Sequence, residues 1–469
     1  MYIEQIYTNC LAQGAYYIHS NGEAAIIDPL RETAPYMDKL RADNVSLKYI
    51  FETHFHADFV SGHLSLAKKT GATIVYGPEA NTKYDATNAI DGQEFKVGDL
   101  TITALHTPGH TIESTCYLLK DADGKEMAIF TGDTLFLGDV GRPDLCQKGS
   151  AITEADLAGM LYDSLRTKIM PLPDEVKVYP AHGAGSACGK NMMKITVDTL
   201  GNQKQVNYAL RADMTKEEFI AEVTAGLTEA PAYFPENVRM NKDGYDHIDD
   251  IVNKGLKALA PNEFKLVRAL NNALVLDVRS KEDFRDGHVP GSLFIGLDGS
   301  FAPWVGALIK DVKKPILIVA PPGREEETII RLARVGFDKS LGYLKGGVAA
   351  WASSRLKTTK VKQISAKDLQ QKNLQEEPVY DCRKPSEYNA AHIKEVTNLP
   401  LATLDKNLKE VPQKKPFYIH CQSGYRSMIA SSLLLANGIE YGIDVEGGYK
   451  ALVNLDIEVE ESFCSKTTL

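Results

Sequence analysis

Apolar and polar positions over the first 245 residues fall into short blocks that read as strands separated by helix-like segments. Residues 23–28 and 72–76 are compact apolar runs with the length of buried strands. Between them, Leu64–Thr70 has helical composition and stops at Gly71. Residues 100–105 alternate with a period of two. Residues 116–119 and 127–130 flank an Asp-Ala-Asp-Gly turn at 121–124, which predicts a hairpin. Residues 47–51 and 176–179 add two more strands. The first seven residues carry an acid and no apolar core, so they predict a strand rather than a secretion signal. Hairpins mixed with helix-linked strands predict sandwiched sheets with outer helices.

Beyond Pro261 the pattern repeats. The run 274–279, closing in Asp277 and Arg279 and followed by His288, is echoed at 378–383, with Asp381, Arg383 and His392. The strand-like run 315–320 is echoed at 416–421, and the Gly-Gly pair at 346–347 returns at 447–448. A constant offset of about 100 residues predicts two tandem copies of one small α/β domain. Expected boundaries are 1–245, 246–358 and 359–469, with the first join in 243–258 and a polar, basic linker at 353–360.

Length agrees with several domains, because 469 residues exceed what one core supports. A hydrophobic fraction of 43% and a charged fraction of 25% are those of an ordinary globular protein. A net charge of −9 without a basic run excludes nucleic acid and anionic membranes as natural partners. No stretch is apolar for the roughly 18 residues of a membrane helix. Seven cysteines scattered singly make no disulfide framework, so a reducing cytoplasm is expected.

Candidate chemistry begins after the apolar run 47–51, where His54, His56 and Asp58 stand within five residues. Three later strand-like segments also end in a histidine or an acid among small residues, at His110, Asp133 and His182. Four such ends in one order resemble the metallo-β-lactamase superfamily, whose leading motif is His-x-His-x-Asp-His. Here the last position of that motif is Phe59, which cannot bind a metal. The resemblance implies a single-iron set of His54, His110 and Asp133. Two imidazoles and a carboxylate leave open positions of the kind non-haem Fe(II) enzymes use to activate O₂. A zinc hydrolase would want a fuller set including His56 and His182. With Phe59 present, His56, Asp58 and His182 are expected to orient the ligands by hydrogen bonds or to contact substrate. The loop 138–144 resembles the Gly-Arg-x-Asp loop of persulfide dioxygenases, a mononuclear-iron branch of the superfamily. Its Arg142 can clamp Asp144 or a substrate carboxylate. Segment 180–189 also resembles the bacterial fusion type of that branch and brings Cys188 onto the loop of His182.

A second centre is expected at Cys421. It opens the loop Gln422, Ser423, Gly424, Tyr425 and Arg426, directly before a helix-like run. A helix N-terminus and loop amides favour a thiolate there and cradle an added anionic sulfur, with Arg426 adding positive charge. This resembles the rhodanese active loop, and Asp381, Arg383, Glu387 and His392 match the rhodanese N-terminal signature. A Cys-x₅-Arg phosphatase loop is one residue longer. The first copy has Ala320 at the matching position and Glu325, Glu326 and Glu327 at the helix start, so it is expected to be a spacer or interface element. Cys10, Cys116, Cys146, Cys382 and Cys464 carry no partner pattern and are assigned no role.

The fold class expected is therefore α/β multidomain, an αββα metallo-β-lactamase sandwich followed by two rhodanese-like domains. The resemblance implies oxidation of a low-molecular-weight persulfide by O₂ to sulfite and thiol at one Fe(II) per chain, with Cys421 passing sulfane sulfur to sulfite. Zinc, in a glyoxalase II-like thiolester hydrolase, is the alternative. Large enzymes of this type commonly associate, so a dimer or tetramer is expected.

Overall fold

A computed structural model describes residues 2–145, 152–227, 229–372 and 376–461. Cys146 and Cys464 lie outside the described residues. The chain divides into two compact units, residues 1–251 with 310–312 and 330–337, and residues 252–309, 313–329 and 338–469. Among the described residues no helix is long and apolar enough to cross a membrane.

In the first unit, strands β1 (Tyr2–Thr8), β2 (Gln13–Ser20), β3 (Glu23–Ile27), β4 (Ser46–Phe51), β5 (Thr73–Tyr76) and β6 (Thr87–Asn88) form one sheet in sequence order. Strands β7 (Glu94–Val97), β8 (Leu100–His106), β9 (Thr115–Lys120), β10 (Glu126–Gly132), β11 (Lys177–Pro180) and β12 (Asp198–Thr199) form the other, in reverse order. Period-two alternation splits each strand between two cores. In β2, Tyr16 and Ile18 face the second sheet, packing with Phe51, Phe95, Tyr117 and Phe130. Ala15 and Tyr17 face outward, under Tyr36 and Leu40 of the helix Ala34–Ala42 and Leu66 of the helix His63–Thr70. The outer face of the second sheet, with Cys116, Leu118, Ile129 and Val178, is covered by Leu157's neighbours Ala158 and Leu161 and by Phe219. Helix, sheet, sheet, helix is the αββα sandwich.

Phe130 is fully buried between the sheets, with its ring 5.0 Å from that of Tyr16 and 5.3 Å from that of Tyr179. Truncation leaves a cavity at the root of the segment that ends in Asp133. Phe130→Ala is expected to destabilise the first unit by about 3–5 kcal/mol, read as a lower denaturation midpoint.

The second unit holds two sheets of one pattern. Strands β13 (Ala258–Leu259), β14 (Leu274–Asp277), β15 (Leu293–Phe294), β16 (Ile316–Val319) and β17 (Ser340–Leu344) run in the order β13-β17-β16-β14-β15. Strands β18 (Lys362–Ile364), β19 (Val379–Asp381), β20 (Ala391–Ile393), β21 (Thr397–Asn398), β22 (Phe417–His420), β23 (Gly442–Val445) and β24 (Val459–Glu461) follow. Of these, β18-β23-β22-β19-β21 form a sheet of the same order, and β20 pairs with β24. All pairings in the two larger sheets are parallel. Buried parallel strands explain the continuous apolar runs at 316–319 and 417–419.

Candidate metal centre and cysteine loop

Four strand ends of the first unit converge. Past β4 the chain carries Thr53 to Phe59, past β8 His110, past β10 Asp133 and past β11 His182. Gly132 takes the left-handed region at φ +53°, and a Cβ there would stand 2.5 Å from the Thr53 Oγ1. Glycine is therefore required where β10 turns Asp133 toward β4.

His54, His110 and Asp133 each offer one ligand atom, and the three atoms lie within 4.8 Å of one another. Asp133 Oδ2 is 3.8 Å from His54 Nε2 and 3.6 Å from His110 Nε2. Every other donor atom of the three is already held. His54 Nδ1 meets Thr53 Oγ1 at 3.0 Å, His110 Nδ1 meets the Arg142 carbonyl at 2.7 Å, and Asp133 Oδ1 meets His182 Nδ1 at 2.7 Å. The remaining Asp133 Oδ2 is buried without a hydrogen-bond partner. An orphaned carboxylate oxygen facing two imidazole nitrogens fits a metal ion, iron or zinc. Burial would raise the Asp133 carboxyl, but His182 and His54 overcome it and hold it well below the usual carboxylate range. Burial, with His56 beside it, holds the His54 ring well below its usual value, so it stays neutral as a ligand must.

Thr53 is set in turn by Asp28, whose carboxylate accepts from the Thr53 amide and hydroxyl, both at 2.8 Å. Asp28 itself sits at φ +49° at the end of β3. Asn241 closes the loop from the other side, donating to the carbonyls of His56 and Phe59 and accepting from the Ser61 amide. Neither residue was legible as part of the site, because each acts from a distant segment through the backbone. The charged end that Asp28 puts on an apolar strand was the one available signal.

His56 is not brought to the other two histidines' ligand atoms. Its Nε2 lies 3.1 Å from Asp28 Oδ1 and 3.7 Å from Glu52 Oε2, and Phe59 stacks on its ring at 4.2 Å. Phe59 thus packs against the ring of His56. His182 lies between two carboxylates, Asp133 on Nδ1 and Asp58 on Nε2 at 3.0 Å. Burial would lower its pKa, yet Asp133 and Asp58 push it well above the usual histidine value. Cys188 joins Asp58 and His182, their ligand atoms within 4.8 Å of one another. Burial beside Asp133 and Asp58 pushes the Cys188 thiol well up, leaving it protonated. Arg142 is clamped bidentately on Asp144, with both contacts at 2.6 Å. His182→Gln is expected to weaken metal retention by roughly 10–100-fold while leaving the three ligands in place, measured as metal content after dialysis against a weak chelator.

At the second centre, Cys421 follows β22 and the helix Tyr425–Ala436 begins four residues later. The Gly424 amide donates to Cys421 Sγ at 3.2 Å, and Gly424 takes φ +100° to reach it. The backbone after Gly447 and Gly448 locks the loop, since the Tyr449 amide donates to the Cys421 carbonyl at 2.7 Å and the Lys450 amide to that of Gln422 at 3.0 Å. A Cβ on Gly448 would stand 2.3 Å from the Cys421 carbonyl oxygen. Arg426 is engaged by Glu387, with one contact at 2.8 Å, so its charge is shared with that carboxylate. Gln422 accepts from Arg383 at 3.4 Å. The copy lacking a cysteine touches this loop directly: Lys281 Nζ donates to the Ser423 carbonyl at 3.0 Å, and the Tyr425 hydroxyl to that of Gly296 at 2.8 Å.

A hydrogen bond from the Cys382 thiol, with the Ser427 and Ser423 amides, holds the Cys421 thiol well below the usual thiol range against the effect of burial. The thiolate therefore persists as pH falls through the ordinary thiol pKa of about 8.5. Alkylation of Cys421 by iodoacetamide is expected to keep its plateau rate through that pH and to decline only well below it, followed by peptide mass spectrometry.

Comparison with known proteins agrees with this architecture. The family model for the metallo-beta-lactamase superfamily matches residues 9–182, and that for the rhodanese-like domain matches residues 260–354 and 365–455. A hydroxyacylglutathione hydrolase of Rhodopseudomonas palustris is 31% identical over 48% of this chain and 91% of its own length. One from Tolumonas auensis is 35% identical over 36% of this chain, which spans 60% of that relative's length. A crystal structure of a metallo-beta-lactamase from Staphylococcus aureus aligns with 74% of this chain and 99% of its own, at 29% identity and a TM-score of 0.64.

Proposed function

Because this chain belongs to the metallo-beta-lactamase superfamily and carries two rhodanese-like domains, we propose that it oxidises a low-molecular-weight persulfide at one iron site and transfers sulfane sulfur at Cys421. The observation that carries the reading is a metal set reduced to three inward donors, His54 Nε2, His110 Nε2 and Asp133 Oδ2. Phe59 stands at the position of a further ligand and packs on His56. His54, His110 and Asp133 would hold ferrous iron, which would supply open coordination positions for the chemistry.

The chain's own residues do the rest. Thr53 and the Arg142 carbonyl fix the ring orientation of His54 and His110, and His182 holds Asp133 by its outer oxygen. The overall change is persulfide plus O₂ and water to thiol, sulfite and two protons. At the second centre the Cys421 thiolate takes up sulfane sulfur as a persulfide, cradled by the loop amides and the helix N-terminus. Sulfite attacks the outer sulfur, thiosulfate leaves, and the thiolate is restored. Two sites on one chain raise the local concentration of the shared intermediate. The test is O₂ uptake by iron-loaded, anaerobically prepared protein on adding glutathione persulfide; rapid uptake with sulfite formation is expected, and none with iron bound would reject the dioxygenase.

A second reading, a zinc-dependent thiolester hydrolase with an attached sulfurtransferase, is favoured by the names of the R. palustris and T. auensis relatives. The grouping of Asp58, His182 and Cys188 beside the first three donors also favours it, as a place for another cation. Two zinc ions per chain and cleavage of a hydroxyacyl-glutathione thiolester would establish that reading.

A further inference from the structure

The strand end that carries Cys421 has a second thiol beside it. Asp381 and His420 are register partners on the parallel strands β19 and β22, and the next residue of each strand is a cysteine. The Cys382 amide donates to the His420 carbonyl at 2.8 Å, which keeps the two chains level for one residue more. The side chains of Asp381 and His420 lie on one face, 3.9 Å apart, so Cys382 and Cys421 share the other. Neighbouring strands run about 4.8 Å apart, within the roughly 4.4–6.8 Å between Cα atoms that a disulfide spans. Both cysteines are buried, each about 1% exposed.

We propose that Cys382 is a second catalytic thiol of this centre, which attacks the Cys421 persulfide and releases its outer sulfur as hydrogen sulfide. The inference rests on the reading of Cys421 as a persulfide carrier. A bond forms between the two cysteine sulfurs as the bond from Cys421 to the outer sulfur breaks. The bonding electrons leave with the outer sulfur, and the Cys382 proton goes with them. Cys421 persulfide plus Cys382 thiol thus gives a Cys382–Cys421 disulfide plus H₂S; the sulfane sulfur is reduced, the cysteines are oxidised, and no outside oxidant enters. The helix N-terminus that favours an anion at Cys421 also favours the departing sulfide. Burial pushes the Cys382 thiol well up, so the thiol carries the proton that leaves with the outer sulfur. A low-molecular-weight thiol, in two exchange steps, returns the pair to the reduced form. When sulfite is present it competes for the outer sulfur; when it is scarce, the sulfur returns as sulfide and the carrier is locked.

Full-length protein loaded with thiosulfate under argon, then denatured into N-ethylmaleimide, tests this by mass spectrometry of the peptides bearing the two cysteines. The expected result is a Cys382–Cys421 disulfide accumulating one-for-one with released sulfide. Cys382→Ser is expected to hold the persulfide about tenfold longer and release no sulfide, the loss of a neighbouring nucleophile. Persulfide on Cys421 with Cys382 alkylated throughout, in the unmutated protein, would overturn the assignment whether or not the variant folds. Absence of persulfide, disulfide and sulfite release together would overturn the reading of Cys421 itself.

Discussion

Asp133→Ala is expected to strip the metal from the first unit and abolish persulfide-dependent O₂ uptake. Asp133 is the single anionic donor of the three, and its Oδ2 faces both His54 and His110 while its Oδ1 is held by His182. Losing it leaves two imidazoles and no carboxylate, so metal affinity should fall by more than the roughly 10–100-fold that losing an outer hydrogen-bond partner costs. The fold should survive, because Asp133 lies beyond the end of β10 and contributes no apolar contact to the sheets. Circular dichroism, metal content by mass spectrometry and O₂ uptake, measured on one preparation, separate loss of the ion from loss of the fold. Retained iron together with undiminished uptake would remove Asp133 from the site.

Cys421→Ser is expected to lower thiosulfate formation by roughly 10³-fold or more, as the loss of a nucleophile does, while sulfite formation and metal content stay unchanged. Serine matches the shape of cysteine and can still meet the Gly424 amide, so the loop should keep its conformation. It differs in acidity: the loop and Cys382 stabilise a thiolate at Cys421, whereas a hydroxyl remains protonated and carries no sulfane sulfur. Sulfite should then accumulate where the parent protein converts it. Enzymatic thiosulfate at the parental rate would show that sulfur transfer occurs elsewhere.

What was readable in the chain was chemistry written contiguously. His54, Phe59 and the Cys421 loop each occupy a few adjacent residues, and the tandem copies repeat whole motifs at one spacing. Apolar periodicity told which positions face a core, and it gave β8, β9 and β10 close to their observed extents. Arg142 shows where such reading stops. Its position on a short loop permitted either a clamp on Asp144 or a substrate contact, and the bidentate pair appears only once both side chains are placed.

Periodicity specifies a face but not a neighbour, since neighbours are chosen by register between strands and by packing between layers. Cys382 was assigned no role from its surroundings in the chain. It lies beside Cys421 because β19 and β22 pair in parallel with Asp381 opposite His420. His56 stood in the same motif as His54, yet its Nε2 faces Asp28 and Glu52 and Phe59 stacks on its ring, so nearby histidines face different partners. The residue types that can hold a metal or carry sulfur were thus present in the linear order. Which of their atoms are free to do so depended on hydrogen bonds from Thr53, the Arg142 carbonyl and His182, which the fold brings from distant segments.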